Sequence, residues 1–294
     1  MPLLSIITPA YNRAHLLHNC FDSLVSQSCM DFEWIIIDDG SVDNTEEVVR
    51  SFSTELFSIV YEKKENGGKH TALNASHPYI HGDYILILDS DDTLTPDAVE
   101  TALAVWSDYR DDPSVSLLSF YKQSPDGIIV SSRVEQERLL SDHFSYQVNQ
   151  RKDGDQCEVV RSSYFKEFAF PVFPGERFAS EGLLWNYLGY KYKAVYVDKA
   201  IYNCEYLEGG LTDSGRRLLM SNPKAMIELT KTFFDPRVCL RVRVKESLLY
   251  VVYSFCDHRS FGTMMQESKQ KLLTGLMYPG GAVLYYYWKK RYLM

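Results

Sequence analysis

Within the first hundred residues, four short runs of strand character alternate with stretches of helical spacing: Leu3–Thr8, Phe32–Ile37, Phe57–Glu62 and Tyr84–Leu88. Three of the runs stop at a polar cluster: Pro9-Ala10-Tyr11-Asn12, Asp38-Asp39-Gly40-Ser41 and Asp89-Ser90-Asp91-Asp92. Between them, His15–Gln27 places Leu16, Leu17, Cys20, Phe21 and Leu24 on one helical face. Asp43 or Asn44 is positioned to cap Thr45–Phe52, Lys69–His77 reads as a third helix, and Pro96 opens a fourth that runs to Ser107. Apolar strands joined through helices predict a parallel sheet covered on both faces. In such sheets ligands sit beyond the carboxyl ends of the strands. The polar clusters are therefore expected to share one edge.

Beyond Pro113 the periodicity is weaker. Strands are expected at Val115–Tyr121, Gly127–Ser131, Gln156–Arg161 and Lys193–Val197, with Ile201–Tyr206 extended before a turn at Gly209-Gly210. Val134–Asn149 carries no decisive pattern, and Glu181–Leu188 reads as a short helix. Helices follow at 223–234, 237–257 and 262–276, then an aromatic and basic segment. The expected division is an α/β domain over 1–214, itself split at 112/113, and a helical extension over 215–294.

Charge is unevenly distributed. The net charge is −8, yet from Arg216 onward there are 14 Lys and Arg against 5 Asp and Glu, while the preceding residues carry 17 against 34. An acidic body argues against a general nucleic-acid-binding role. Tyr285-Tyr286-Tyr287-Trp288 followed by Lys289-Lys290-Arg291 suits peripheral membrane contact through 277–294, and equally a helix packed on the body with its aromatics buried. No run reaches 18 uncharged apolar residues, so no spanning segment is expected. The six cysteines form no CxxC pair and the start has neither a basic region nor a long apolar core. Reduced thiols, no signal peptide and a cytoplasmic location are the expectation.

Asp89, Asp91 and Asp92 are too dense to ionise together without a cation among them. Mg²⁺ or Mn²⁺ takes one or two carboxylates together with phosphate oxygens. A solvated turn, a calcium loop and a phosphatase DxDxT string are alternatives. Leu94 stands where the calcium loop needs glycine, and the second acidic cluster counts against the phosphatase. Asp38 and Asp39 suit a nucleobase imide N–H or the cap of the next helix. Tyr11 suits a stacked base or core packing. Asn66, Gly67 and Lys69 open a helix, a favourable place for an anion. Glu181, beside Trp185, is a first-turn carboxylate favoured by the helix dipole.

In this order and spacing, SIITPAYNRAHLL, FEWIIIDDGSVDNT, ENGGKHTALN and YILILDSDD resemble the family 2 inverting glycosyltransferases, with a weaker continuation through FPGERFASEGLLWNYLGYKYKAVYVDKAIY. The resemblance implies a GT-A fold: a Rossmann-like, mostly parallel sheet flanked by helices, here with a helical C-terminal extension. Residues 1–112 become the nucleotide-sugar-binding part and 113–214 the acceptor-side part. By resemblance Pro9, Ala10, Tyr11, Asp38 and Asp39 hold the base, and Asn66, Gly67 and Lys69 lie near the nucleoside and diphosphate. Asp89, Ser90 and Asp91 match the DxD signature, with Asp91 at the Mn²⁺ or Mg²⁺ and Asp89 toward the ribose or sugar. Many members carry Glu-Asp at the acceptor-side helix; here Gly182 follows Glu181, and Glu181 is assigned as the base. The implied reaction moves a sugar from a nucleoside-diphosphate donor, UDP-linked by expectation, to a glycan or lipid-linked acceptor in cell-surface polysaccharide synthesis at the inner face of the membrane. A non-catalytic nucleotide-sugar-binding protein is one alternative. A sugar-phosphate nucleotidyltransferase is the other, although PAYNRA offers only Arg13 and no glycine for a triphosphate.

Overall fold

The computed structural model describes residues 2–204 and 211–293, with the backbone alone at 211–214. The expected Gly209-Gly210 turn lies outside the described residues. The chain divides into two compact units. One joins Met1–His143, Lys152–Ala169 and Leu188–Glu205; the other joins Phe144–Arg151, Phe170–Tyr187 and Tyr206–Met294.

The first unit follows the order β1 (Leu4–Ala10), α1 (Leu17–Val25), β2 (Phe32–Asp38), α2 (Thr45–Ser51), β3 (Ser58–Lys63), α3 (Lys69–Ser76), β4 (Tyr84–Ile87), β5 (Thr93–Leu94), α4 (Ala98–Tyr109), β6 (Val115–Gln123), β7 (Arg138–Asp142), β8 (Gln156–Arg161) and α5 (Ser162–Lys166). The unit boundary falls within α6 (Gly182–Lys191), and β9 (Lys193–Asn203) returns to the sheet. The strand order is β3-β2-β1-β4-β8-β6-β9-β5, with β7 also on β9. β3, β2, β1 and β4 are mutually parallel; β6 and β9 run the same way, and β8, β5 and β7 run against them. The mostly parallel α/β sheet expected from the sequence is thus present.

β1 and β2 are buried at every position, as strands covered on both faces must be. Trp34 fills the core beside Phe21 and Phe52, whose rings stack 4.5 Å apart, and its Nε1–H donates to Thr8 Oγ1 at 2.9 Å. Glu33 is the one buried acid in the middle of these strands. It accepts from Ser5 Oγ at 2.5 Å and from the His81 backbone N–H at 2.7 Å, so its burial is compensated.

The later elements depart from the sequence expectation. Gly127–Ser131 forms only an isolated bridge, Gln123 to Ile129. β7 arises within the unassigned stretch 134–149, and Lys193–Asn203 is one continuous strand rather than two. α4 starts at Ala98 rather than Pro96, because Thr93 and Leu94 pair with β9 and the Thr95 N–H donates to Ile201 O at 2.9 Å.

The second unit holds α7 (Leu211–Ser221), α8 (Pro223–Thr232), α9 (Leu240–Cys256), α10 (Phe261–Glu267) and α11 (Lys271–Trp288). Its core gathers Met226, Ile227, Tyr250, Val251 and Met264. The expected helix over 262–276 is instead split at Ser268, and α11 continues through Pro279-Gly280-Gly281 to Trp288. These glycines serve close packing on α9 rather than a turn. A Cβ at Gly281 would stand 2.5 Å from Val251 Cγ1, whereas one at Gly280 would sit 3.4 Å from Leu248 Cδ1. Gly281→Ala gains about 1 kcal/mol of helix propensity but overpacks a rigid, buried valine at a cost of about 1–3 kcal/mol. The expected outcome is a lowered thermal midpoint for Gly281→Ala and an unchanged or raised one for Gly280→Ala, read by scanning calorimetry.

Candidate active site

The carboxyl ends of β1, β2 and β4 and the entry to α3 carry the four motifs, and the structure links them into a closed ring. β1 and β2 meet first. The Asp39 N–H donates to Ala10 O at 2.8 Å and the Asn12 N–H to Ser41 Oγ at 2.9 Å, while Asn12 Oδ1 accepts from the Val42 N–H at 2.9 Å. Asp43 Oδ1 accepts from the Thr45 N–H at 3.1 Å, fixing the start of α2, and its Oδ2 accepts from the Ala14 N–H at 3.2 Å. Asn12 itself has φ +54°, a left-handed conformation that asparagine tolerates.

The second link joins β2 to the entry of α3. Asp39 is 3% exposed, and its carboxylate accepts from the Gly67 N–H at 2.9 Å, the Gly68 N–H at 2.6 Å and Lys64 Nζ at 2.6 Å. Gly68 has φ +96°, which explains glycine at the cap of α3. Asp38 is wholly buried, accepting from the Ser41 N–H at 2.7 Å and the Tyr61 hydroxyl at 2.6 Å. Burial, and then the hydrogen bond to Asp38, push the Tyr61 phenol up well beyond its ordinary range.

The remaining links close the ring. Lys69, at the first turn of α3, forms an ion pair with Asp89. Arg13, just past β1, stands 3.6 Å from Asp91. Tyr11, beside it, is 45% exposed and is therefore no core residue. Pro9 pairs with Ile37 in the sheet, while Ala10 and Ser90 are buried. Asn66 lies in the loop ahead of α3, where its N–H would be 2.8 Å from a Cβ added at Gly40.

Two further residues enter from strands beyond the motifs. Lys122, near the end of β6, is 3.9 Å from Asp89 and lies 4.2 Å above the Tyr202 ring. Tyr202, near the end of β9, is fully buried, and its hydroxyl accepts the Asp89 N–H at 2.9 Å. The sequence reading passed over both. The available signal was a lysine near the end of a mainly apolar, buried strand, since β6 points the same way as β1 and shares its carboxyl edge.

Three cations thus face three carboxylates within four residues. Burial works to raise the Asp89 carboxyl, but Lys69, Lys122 and Arg13 outweigh it and hold the group below its ordinary value. At Asp92, Lys122 and the Tyr202 hydroxyl offset burial only in part. Burial first, and then the neighbouring Asp89, push its carboxyl up to about 6. The cations are thus concentrated on Asp89 and Asp91. Among the described residues no three His, Cys, Asp or Glu side chains converge as a closed metal cage. One partly exposed carboxylate with a neighbour is the donor set that Mg²⁺ or Mn²⁺ accepts when phosphates supply the other oxygens, so the residues fit such a cation.

Glu181 belongs to the second unit. It immediately precedes α6, and its carbonyl accepts the Leu184 and Trp185 N–H groups at 2.9 and 3.1 Å, so it caps that helix. Gly182 N–H turns back to Ser180 Oγ at 3.1 Å.

Comparison with known proteins bears on the family and the fold. One matched segment of 134 residues is 37% identical to the chondroitin synthase of Pasteurella multocida strain Pm70, covering 45% of this chain and 14% of that protein. The chain thus matches a small part of the length of that relative. Among solved structures, S. aureus TarS 1–349 in complex with UDP-GlcNAc superposes with a TM-score of 0.64 at 19% identity, covering 96% of this chain and 79% of that one. The mannosyltransferase PcManGT of Pyrobaculum calidifontis, in complex with GDP-Man and Mn²⁺, gives 0.60 at 17% identity over 98% and 83%. Both likenesses are of fold, and that fold is GT-A. The sequence profile described as "Glycosyl transferase family 2" matches residues 5–170, more than half of the chain. The chain belongs to glycosyl transferase family 2.

Proposed function

We propose that this chain is a metal-dependent, inverting glycosyltransferase that takes its sugar from a nucleoside diphosphate, UDP by preference, and delivers it to an acceptor hydroxyl. The observation that carries the reading is the ring at the carboxyl edge of the sheet, in which Asp39, Gly67, Lys69, Asp89, Asp91 and Arg13 join four separate loops. The complexes of fold relatives with UDP-GlcNAc and with GDP-Man and Mn²⁺ support a nucleotide-sugar donor.

In this reading the exposed Tyr11 ring offers a face to the base, and Asp38 and Asp39 hold the surrounding loops in register. Asn66 and Gly67 line the approach of the nucleoside. Lys69, Lys122 and Arg13 bring fixed positive charge to the diphosphate, which must accept the electron pair of the breaking anomeric bond. Such preorganised charge stabilises the leaving group without a covalent intermediate. Asp91, with Asp89 beside it, would hold a divalent cation, which when bound neutralises charge on the diphosphate. Glu181 takes the proton of the attacking hydroxyl as the acceptor oxygen bonds to the anomeric carbon from the opposite face. A single displacement of this kind inverts the anomeric configuration. The acceptor in this reading is a growing glycan, the class that the chondroitin synthase relative supports, or a lipid-linked sugar.

The test is a donor screen: purified protein with Mn²⁺ and single UDP-, GDP- and dTDP-sugars, following nucleotide release with and without EDTA. Release from one UDP-sugar that EDTA abolishes is the expected result. Nucleotide-sugar binding by calorimetry with no transfer to any glycan or lipid-linked acceptor would favour a binding module instead. Absence of both binding and release would remove the proposal.

A further inference from the structure

We propose that the outer face of α11 is a docking surface for an anionic lipid bilayer, independently of the sugar-transfer reading. α11 has two unlike faces. Thr274, Gly281 and Tyr285 are turned inward, with Gly281 against Val251 of α9 and Tyr285 stacked on Phe255 at 5.4 Å. The opposite face carries Leu272, Leu276, Val283, Tyr286 and Tyr287, exposed by 77, 62, 72, 65 and 56%. At the helical repeat these side chains, with exposed Pro279 among them, fall within an arc of roughly 100° and extend along about 22 Å of helix. Single exposed apolar residues are ordinary on a protein surface; a continuous stripe is not.

The charge around the stripe selects the partner. Exposed Lys269 and Lys271 stand at one end and exposed Lys289, Lys290 and Arg291 at the other, and no Asp or Glu follows Glu267 anywhere in the sequence. A second copy of this chain would bring the same cations face to face, whereas anionic headgroups complement them. The tyrosines, each an apolar ring with a polar tip, suit the level of the headgroups. No helix among the described residues is long and apolar enough to cross a membrane. The geometry therefore corresponds to a helix lying in the interface plane, its back held by α9 and its stripe in the acyl boundary.

The test is co-sedimentation of the full chain with vesicles of phosphatidylcholine alone or with about one third phosphatidylglycerol. Each basic side chain near an anionic surface strengthens partitioning about five-fold. Binding at least ~10-fold tighter to the anionic vesicles, and weakened by salt, is expected. The double change V283E and Y286E should abolish it with the melting temperature and donor turnover unchanged. Reversing two charges, K289E and K290E, should lower it by at least about 25-fold. Three results overturn the proposal: no sedimentation with anionic vesicles, binding indifferent to V283E and Y286E, or a concentration-dependent dimer that the same pair dissolves. The last would assign the face to a second copy of the chain.

Discussion

Asp91→Asn is expected to lower donor turnover by about 10²–10³-fold while leaving the fold intact. The separation of the two effects follows from the surroundings of Asp91. Its side chain is 24% exposed and meets Arg13 at 3.6 Å, a partly solvated pair whose loss costs about 0–1 kcal/mol. A shift in the melting temperature of no more than about 2–4 °C follows. The catalytic loss is expected to be larger because, in the proposed function, the carboxylate is replaced where the donor diphosphate and its cation would gather charge. The measurement is nucleotide release from the best donor at saturating Mn²⁺, beside a thermal melt. EDTA should bring the unmodified protein down toward the level of the variant and leave the variant little changed. Undiminished turnover by Asp91→Asn would remove the assignment of this strand end.

The parallel order of β1, β2 and β4 explains why the gathering of the polar clusters was legible in the sequence. Three of the ring motifs lie directly after the buried strands β1, β2 and β4, and parallel topology forces such ends to one edge, so local spacing carried long-range information. What spacing did not carry was the contribution of Lys122 and Tyr202. The two residues lie 30 and 110 positions beyond Asp92, and only the pairing of β8 with β4 and β6, and of β6 with β9, brings them to Asp89. β7 was unreadable because its pattern, Arg138 to Asp142, is only half-buried and owes its strand conformation to β9 alone. The end of the helix expected at 276 failed for a different reason. Proline and paired glycines usually break helices, but tertiary contact with Val251 rewards the absent Cβ of Gly281. Local propensity yields there to packing, as it does wherever two helices approach closely.

Glu181→Gln is expected to lower sugar transfer by about 10²–10⁴-fold, the range for loss of a general base, while donor affinity stays within about two-fold. Glutamine keeps the size of the side chain and the backbone carbonyl that caps α6, so Leu184 and Trp185 retain their hydrogen bonds and the local structure is preserved. It cannot accept the proton of an attacking hydroxyl. Glu176 supplies the control. Its two carboxylate oxygens accept the Lys224 and Ala225 N–H groups at 2.8 and 2.9 Å, capping α8, so Glu176→Gln should weaken stability more than chemistry. Calorimetric donor binding, initial transfer rates and a melting curve on both variants separate the two roles. A Glu181→Gln protein that transfers sugar at the unmodified rate would place the base elsewhere in the chain. One that loses donor binding along with turnover would make Glu181 a binding residue instead. The pH profile gives a further discriminator: a base that must be ionised leaves an acid limb in the rate for the unmodified protein, and that limb should vanish from the residual activity of the variant.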